Sequence, residues 1–248
     1  MRRRAGLVPA LLLLVPLLTA GTAHAALPLA GRTIVVDPGH DGGNAAHPGV
    51  IGALVPAGGF RKACDTAGAS TDAGYPEHAF TYDVSLRLAR ILRARGARVV
   101  LTRTNDTGVG PCVDVRGRSG QRAHADLAIS VHADGGPASG RGFHVISPGL
   151  LSFPGGSTAR IVRPSRDLAR AIRAALDRTG LPRSTYVGSQ GLDVRTDLAG
   201  LNLSTVPKVL VELGNMRNAH DAALQSSAAG RQRIAAAVAA GILAYLGR

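Results

Sequence analysis

Thr33-Ile34-Val35-Val36-Asp37-Pro38-Gly39-His40 is the stretch on which the reading of this chain turns. Four consecutive β-forming residues have the composition of an internal strand buried on both faces, and Asp-Pro-Gly-His must break that strand into a turn. Two further runs repeat the pattern: Leu127-Ala-Ile-Ser-Val leads to His132, and Val209-Leu-Val leads to Glu212. Open α/β sheets bind ligands beyond their strand ends. Two imidazoles and a carboxylate in such places point to a metal site.

Outward from these runs the chain alternates strand and helix patterns. Pro76-Glu77 opens a helix in which Phe80, Val84, Leu88, Ile91 and Leu92 recur at helical spacing; Arg87, Arg90, Arg93 and Arg95 crowd its end, and Gly96 stops it. Glu77 therefore sits in the first turn. Residues 97–103 read as the next strand, giving a strand–loop–helix–strand unit with parallel strands. Residues 113–125 look helical and lead into the strand 127–131. Further strands are expected over 141–147, 192–196 and 208–211, with helices over 165–179, closed by Gly180-Leu-Pro182, and over the Ala-rich 231–246. Between Asp41 and Tyr75 the sequence is rich in Gly, Ala and Pro without a period. It reads as a long irregular loop, of the kind that is usually functional. There is no internal repeat and no low-complexity tail, so the chain is expected to form a single α/β domain.

Residues 1–25 have the form of a cleaved export signal: Arg2, Arg3 and Arg4, an apolar stretch interrupted by Pro9 and Pro16, and Ala23-His24-Ala25. That stretch is too short to span a bilayer. The mature domain is therefore read as residues 26–248, acting outside the cytoplasm, secreted to the periplasm or cell wall, with no stable membrane anchor. Without the three signal arginines the formal charge of +13 falls to +10. This balance either attracts polyanions or reflects an arginine-rich coding bias, since Lys62 and Lys208 are the only lysines. Nucleic acid is the weakest of the polyanions, because the chain lacks Trp and has few aromatics for stacking. Cys64 and Cys112 are the only cysteines, and in an exported chain the pair is expected to form a disulfide. Closing a loop of this length would stabilise the fold by about 4 kcal/mol in the chain-entropy model.

Neither His40 nor His132 means much alone, because a single histidine is more often an ordinary hydrogen-bonded residue. With Glu77 they form a His, Glu, His set, a ligand choice of catalytic zinc sites that leaves a position open to water. Glu212 follows an apolar run, where a carboxylate is costly to bury unless it is paired, hydrogen-bonded or functional. Beside a metal it could take a proton from the attacking water and return it to a leaving amine; a structural salt bridge to an arginine is the alternative. His78 adjoins Glu77 but points about 100° away around the helix axis, so it cannot face the same ion. His124 and His144 read as surface residues rather than as partners that orient a ligand. His47 and His220 give no signal.

The segments 35–40, Pro76-Glu77, 125–134 and 206–215, followed by Asn218, resemble in content and order the zinc-dependent N-acetylmuramoyl-L-alanine amidases of the type 3 family. The resemblance implies Zn²⁺ held by His40, Glu77 and His132, with Glu212 as the catalytic glutamate. It implies a twisted, mostly parallel sheet flanked by helices, and a monomer acting on peptidoglycan or muropeptides. The bond cut would join the lactyl carbonyl of N-acetylmuramic acid to L-alanine. Arg195, in a stretch resembling the family's substrate side, would meet stem-peptide carboxylates. Asp41 departs from the usual Gly-His-Gly-Gly and is expected to alter the rim of the site. The long loop with its cysteines resembles mycobacterial-like members. Two other readings stand beside this one: a different zinc hydrolase of wall peptides or sugars, and a noncatalytic peptidoglycan-binding protein that kept the fold.

Overall fold

The structure, a computed structural model, describes residues 26–247, so the export signal read at residues 1–25 lies outside the described residues. In chain order the elements are β1 (Thr33–Pro38), α1 (Pro48–Ile51), β2 (Leu54–Pro56), β3 (Arg61–Ala63), α2 (Glu77–Ala94), β4 (Arg98–Leu101), α3 (Val113–Gly117), α4 (Ser119–Arg122) and β5 (Leu127–Asp134). There follow β6 (His144–Pro148), β7 (Ser152–Phe153), β8 (Gly156–Ser157), α5 (Ala159–Asp177), β9 (Leu192–Arg195), α6 (Ala199–Asn202), β10 (Lys208–Asn215), α7 (Ala219–Ser226) and α8 (Ala228–Leu246). Six strands form one sheet in the order β4-β1-β5-β10-β6-β9. Every neighbouring pair is parallel except β10 with β6. The mostly parallel α/β sheet expected from the sequence is thus present.

Side chains alternate across a strand, so each central strand supplies two different surfaces. Ile34 and Val36, Leu127, Ile129 and Val131, and Val209 and Val211 face one way, into a core with Phe80, Val84, Leu88, Leu168, Ile172, Ile234, Val238 and Ile242 of α2, α5 and α8. The other parity carries Asp37, Ser130, His132, Lys208 and Glu212 among apolar Val35, Ala128 and Leu210. Asp37 pairs in register with Ser130, Leu210 with Ser130, and Glu212 with His132. One sheet face builds the core and the opposite face builds the site.

Several expected elements differ in extent. Strands β5 and β10 run past His132 and Glu212 to Asp134 and Asn215, so only His40 lies beyond its strand. Helix α5 begins at Ala159, ahead of the expected 165, with Pro164 inside it. Proline is a stop signal in sequence because it forfeits the bond to the carbonyl four residues back. Burial of Ile161 in the same helix carries it through that gap. The 41–75 region is not irregular throughout: it holds α1 and the antiparallel β2–β3 hairpin, and Cys64 is bonded to Cys112. Helix α7 went unread, although Asn218 caps it by accepting from the backbone N–H groups of His220 and Asp221.

Candidate metal centre

The turn after β1 aims the first imidazole. His40 has φ +57°, a left-handed conformation that costs a non-glycine residue on the order of 1–2 kcal/mol. Two buried arginines and a threonine hold it there. Arg116 donates to the carbonyls of Pro38 at 2.6 Å and His40 at 2.8 Å, while Thr81 Oγ1 donates to Gly39 O at 2.7 Å. Arg103 donates to Pro38 O and Gly39 O, both at 3.3 Å. Gly39 is required for a different reason: a Cβ there would lie 2.3 Å from Cε1 of His132. The second imidazole packs directly over that glycine.

Glu77, in the first turn of α2, sits between the two rings. Its Oε2 lies 3.2 Å from His40 Nε2 and its Oε1 3.0 Å from His132 Nδ1. Backbone N–H groups fix the carboxylate from both sides: Ala69 donates to Oε2 at 2.8 Å and Ala133 to Oε1 at 3.1 Å. The rings meet edge to face with centroids 5.0 Å apart. One donor atom from each of His40, Glu77 and His132 lies within 4.8 Å of the other two, and this is the one such group among the described residues. Burial lowers the pKa of the His40 imidazole, but Glu77 and Asp65 outweigh it and raise the value to about 10. Burial likewise disfavours ionised Glu77, yet His40 and His132 hold its carboxyl well below the usual carboxylate range. Two imidazoles and one carboxylate whose donor atoms converge in this way are a zinc-type donor set.

Glu212 stands beside this group and outside it. It pairs in register with His132 on one side and His144 on the other, so all three project from the same sheet face. Its Oε2 is buried without a hydrogen-bond partner. Burial, with the negative charges of Glu77 and Asp134, pushes its pKa well up. No arginine salt bridge engages it among the described residues, which removes the structural alternative.

The remaining histidines sort clearly. His144 corrects the sequence reading: it is 2% exposed, with an unpartnered Nδ1, and burial pushes its pKa down. Sequence missed it because antiparallel β6 comes against β10 only in the folded sheet. His78 bonds Asp106 at 2.8 Å, away from the group, and His47, His124 and His220 are exposed. Asp41 accepts from the N–H of Gly42 and of Gly108, tying the turn after β1 to the 105–108 segment. Arg195 lies near enough for its charge to act on Glu212, and Asp197 engages its Nε at 2.8 Å and Nη2 at 2.5 Å.

Under the turn lies an ionic cluster that the sequence did not disclose. Asp37 Oδ1 accepts from Arg116 at 2.8 Å and Thr102 at 2.6 Å; its Oδ2 accepts from Ser130 at 2.7 Å and Lys208 at 3.3 Å. Lys208, Arg103 and Arg116 are buried, so part of the chain's positive charge is structural and unavailable to polyanions. A cavity of about 180 Å³ adjoins His40 and His132, with Ala63, Val113, Leu201 and Leu210 supplying apolar walls.

Comparison with known proteins agrees with this geometry. The Amidase_3 family, described as N-acetylmuramoyl-L-alanine amidase, matches residues 34–244. The chain is 45% identical to an N-acetylmuramoyl-L-alanine amidase of Mycobacterium tuberculosis, over 93% of this chain and 92% of that protein. It superposes on the crystal structure of the N-acetylmuramyl-L-alanine amidase of Mycobacterium smegmatis with a TM-score of 0.82 at 44% identity, covering 88% of this chain and 98% of the other. A probable cell wall amidase of Staphylococcus epidermidis is 26% identical, over 88% of this chain and 60% of its own length. A family match across nearly all the described residues and a relative of this similarity establish that the chain belongs to the N-acetylmuramoyl-L-alanine amidase family.

Proposed function

We propose that this chain hydrolyses the amide bond between the lactyl carbonyl of N-acetylmuramic acid and L-alanine, in peptidoglycan or its fragments, using zinc held by His40, Glu77 and His132. The observation that supports this most directly is the convergence of three donor atoms within 4.8 Å beside the unpartnered Oε2 of Glu212. The ion, when bound, polarises the scissile carbonyl and acidifies the attacking water. Glu212 takes the proton from that water and delivers it to the departing amine. Its raised pKa suits both halves of this task, because such a carboxylate is the stronger base toward water and, once protonated, keeps the proton until the amine departs. Glu77 cannot do this work, since both its oxygens are occupied by backbone N–H groups and imidazoles. Arg195, at the rim, is assigned to a stem-peptide carboxylate, for which Asp197 holds the guanidinium in place. The arginine-led segment 1–25 is assigned to export, which puts the enzyme at the cell wall.

The test is the identity of the bond cut. Incubation of zinc-loaded protein with a muramoyl-L-alanyl peptide is expected to release a new L-alanine amino terminus, detected by mass spectrometry, and removal of the metal is expected to stop it. Release of acetate would indicate a sugar deacetylase instead, and cleavage within the stem a peptidase. Absence of the L-alanine terminus with zinc bound would refute the proposal.

Gly39 provides a separate check on the ligand set. Because a Cβ would meet the His132 ring at 2.3 Å, Gly39→Ala is expected to displace that imidazole. Zinc affinity should fall on the order of tenfold to a hundredfold, the usual effect of disturbing a ligand's support. Chelator competition measures it, and parental affinity would argue against His132 as a ligand.

A further inference from the structure

An imidazole offers one nitrogen to a metal in a defined direction only when the other nitrogen is committed elsewhere. In His40 the committed nitrogen is Nδ1. It lies 3.1 Å from Asp65 Oδ1, 3.0 Å from Thr66 O and 3.3 Å from Thr66 Oγ1. A carbonyl and a carboxylate only accept, so Nδ1 carries the hydrogen and Nε2 is left facing Glu77. The Asp65 carboxylate does more than receive this bond. Its Oδ1 also accepts from the N–H of Thr66 at 2.8 Å, the residue whose carbonyl is the second acceptor. Its Oδ2 accepts from Arg116 Nη2 at 3.2 Å, and the same Nη2 donates to the His40 carbonyl at 2.8 Å. The bonds close a ring: His40 imidazole to Asp65, Asp65 to Arg116, Arg116 back to the His40 backbone.

The two partners reach His40 from segments far apart in sequence, and a covalent link joins those segments. Cys64 immediately precedes Asp65, in a stretch outside regular secondary structure. Cys112 is the N-cap of α3, which carries Arg116. The disulfide bridges 48 positions, and the Val113 N–H donates to Cys64 O at 2.7 Å beside it.

We infer that Asp65 is a positioning residue for His40, and that the Cys64–Cys112 disulfide and Arg116 hold it in place, so that the disulfide sustains metal affinity as well as fold stability. This rests on the reading of His40 as a metal ligand. The experiment measures zinc affinity of the full chain by chelator competition. Asp65→Ala is expected to weaken binding on the order of tenfold to a hundredfold, the usual effect of removing an orienting partner. Asp65→Asn should weaken it less, because an amide oxygen still accepts from Nδ1 while the charge is gone. The Cys64→Ser, Cys112→Ser pair should also weaken binding, and its effect combined with Asp65→Ala should be less than additive, since both act through one ring of bonds. In ¹⁵N-histidine spectra of the zinc form, Asp65→Ala should move the His40 signals and leave those of His132 in place, whereas general loosening would move both.

Parental zinc affinity in Asp65→Ala, or full additivity with the cysteine pair, would overturn the inference. Should Asp65→Ala fail to fold, Asp65→Asn decides: a threefold or larger loss supports the assignment and an unchanged affinity ends it. His40→Ala separates the two levels. If that variant binds zinc as the parent does, the metal-site reading itself fails; if it loses zinc while the Asp65 variants do not, only the role of Asp65 fails.

Discussion

Glu212→Gln is expected to lower kcat on the order of 10²–10⁴-fold, the range that a general acid–base group contributes, while zinc stays bound. Glutamine keeps the volume of the side chain and cannot accept a proton from water. The carboxylate lies outside the group of three ligand residues, and its Oε2 has no hydrogen-bond partner whose loss would disturb the strand. The substitution therefore removes proton transfer and little else. Because that transfer takes place in the transition state, kcat and kcat/KM should fall together with KM nearly unchanged. Steady-state kinetics with metal content measured on the same sample would decide. A variant that holds full zinc and keeps kcat within tenfold of the parent would remove Glu212 from the chemistry, and a protein that only binds peptidoglycan would show no dependence on it.

Asp37→Ala should destabilise the fold by about 3–5 kcal/mol, the cost of leaving a buried charge without its partner. Asp37 is 1% exposed and accepts from Arg116, Thr102, Ser130 and Lys208. Without it, buried Lys208 has no counter-charge and Arg116 keeps only Asp65, at 3.2 Å. Lys208 would keep one bond, to the Arg116 carbonyl at 2.9 Å. The loss should shrink when one cation is removed as well, so Lys208→Met added to Asp37→Ala should recover part of it. The pH dependence has a definite sign. Burial raises the Asp37 pKa, but Lys208 and Arg116 overcome that and hold it far below the usual carboxylate range. A group depressed in this way contributes its stability fully above the unfolded value of about 3.9 and loses it as pH falls through the folded value. The gap between the parent and Asp37→Asn in urea unfolding should be constant above about pH 5 and narrow below about pH 4. A gap that is absent at neutral pH, or that widens in acid, would contradict the role given to this cluster.

Much of this protein can be read from runs and periods. The strands at 33, 127 and 208 and the helix opened by Glu77 are visible because buried elements repeat apolar residues at their own spacing. Once those elements are placed, His40, Glu77, His132 and Glu212 stand out as polar groups where a core would not put them. The supporting residues give no such signal. Arg103 and Arg116 are single arginines in polar stretches, where charged side chains are nearly always exposed. Asp65 lies in a stretch without period, and the one clue to it is the neighbouring Cys64. His144 looks like a surface histidine until antiparallel β6 brings it against Glu212.

The strands, the helix that opens at Glu77 and the three polar residues that follow apolar runs, His40, His132 and Glu212, are legible in the sequence alone, because local periodicity and burial are properties of short segments. Only the tertiary structure decided how those residues are aimed. The φ of +57° at His40 is held by Arg116, some 76 positions away, and Asp65 meets both His40 and Arg116 through a turn closed by a disulfide. Such contacts depend on the paths of three separate segments through space, and no pattern within any one of them encodes the meeting.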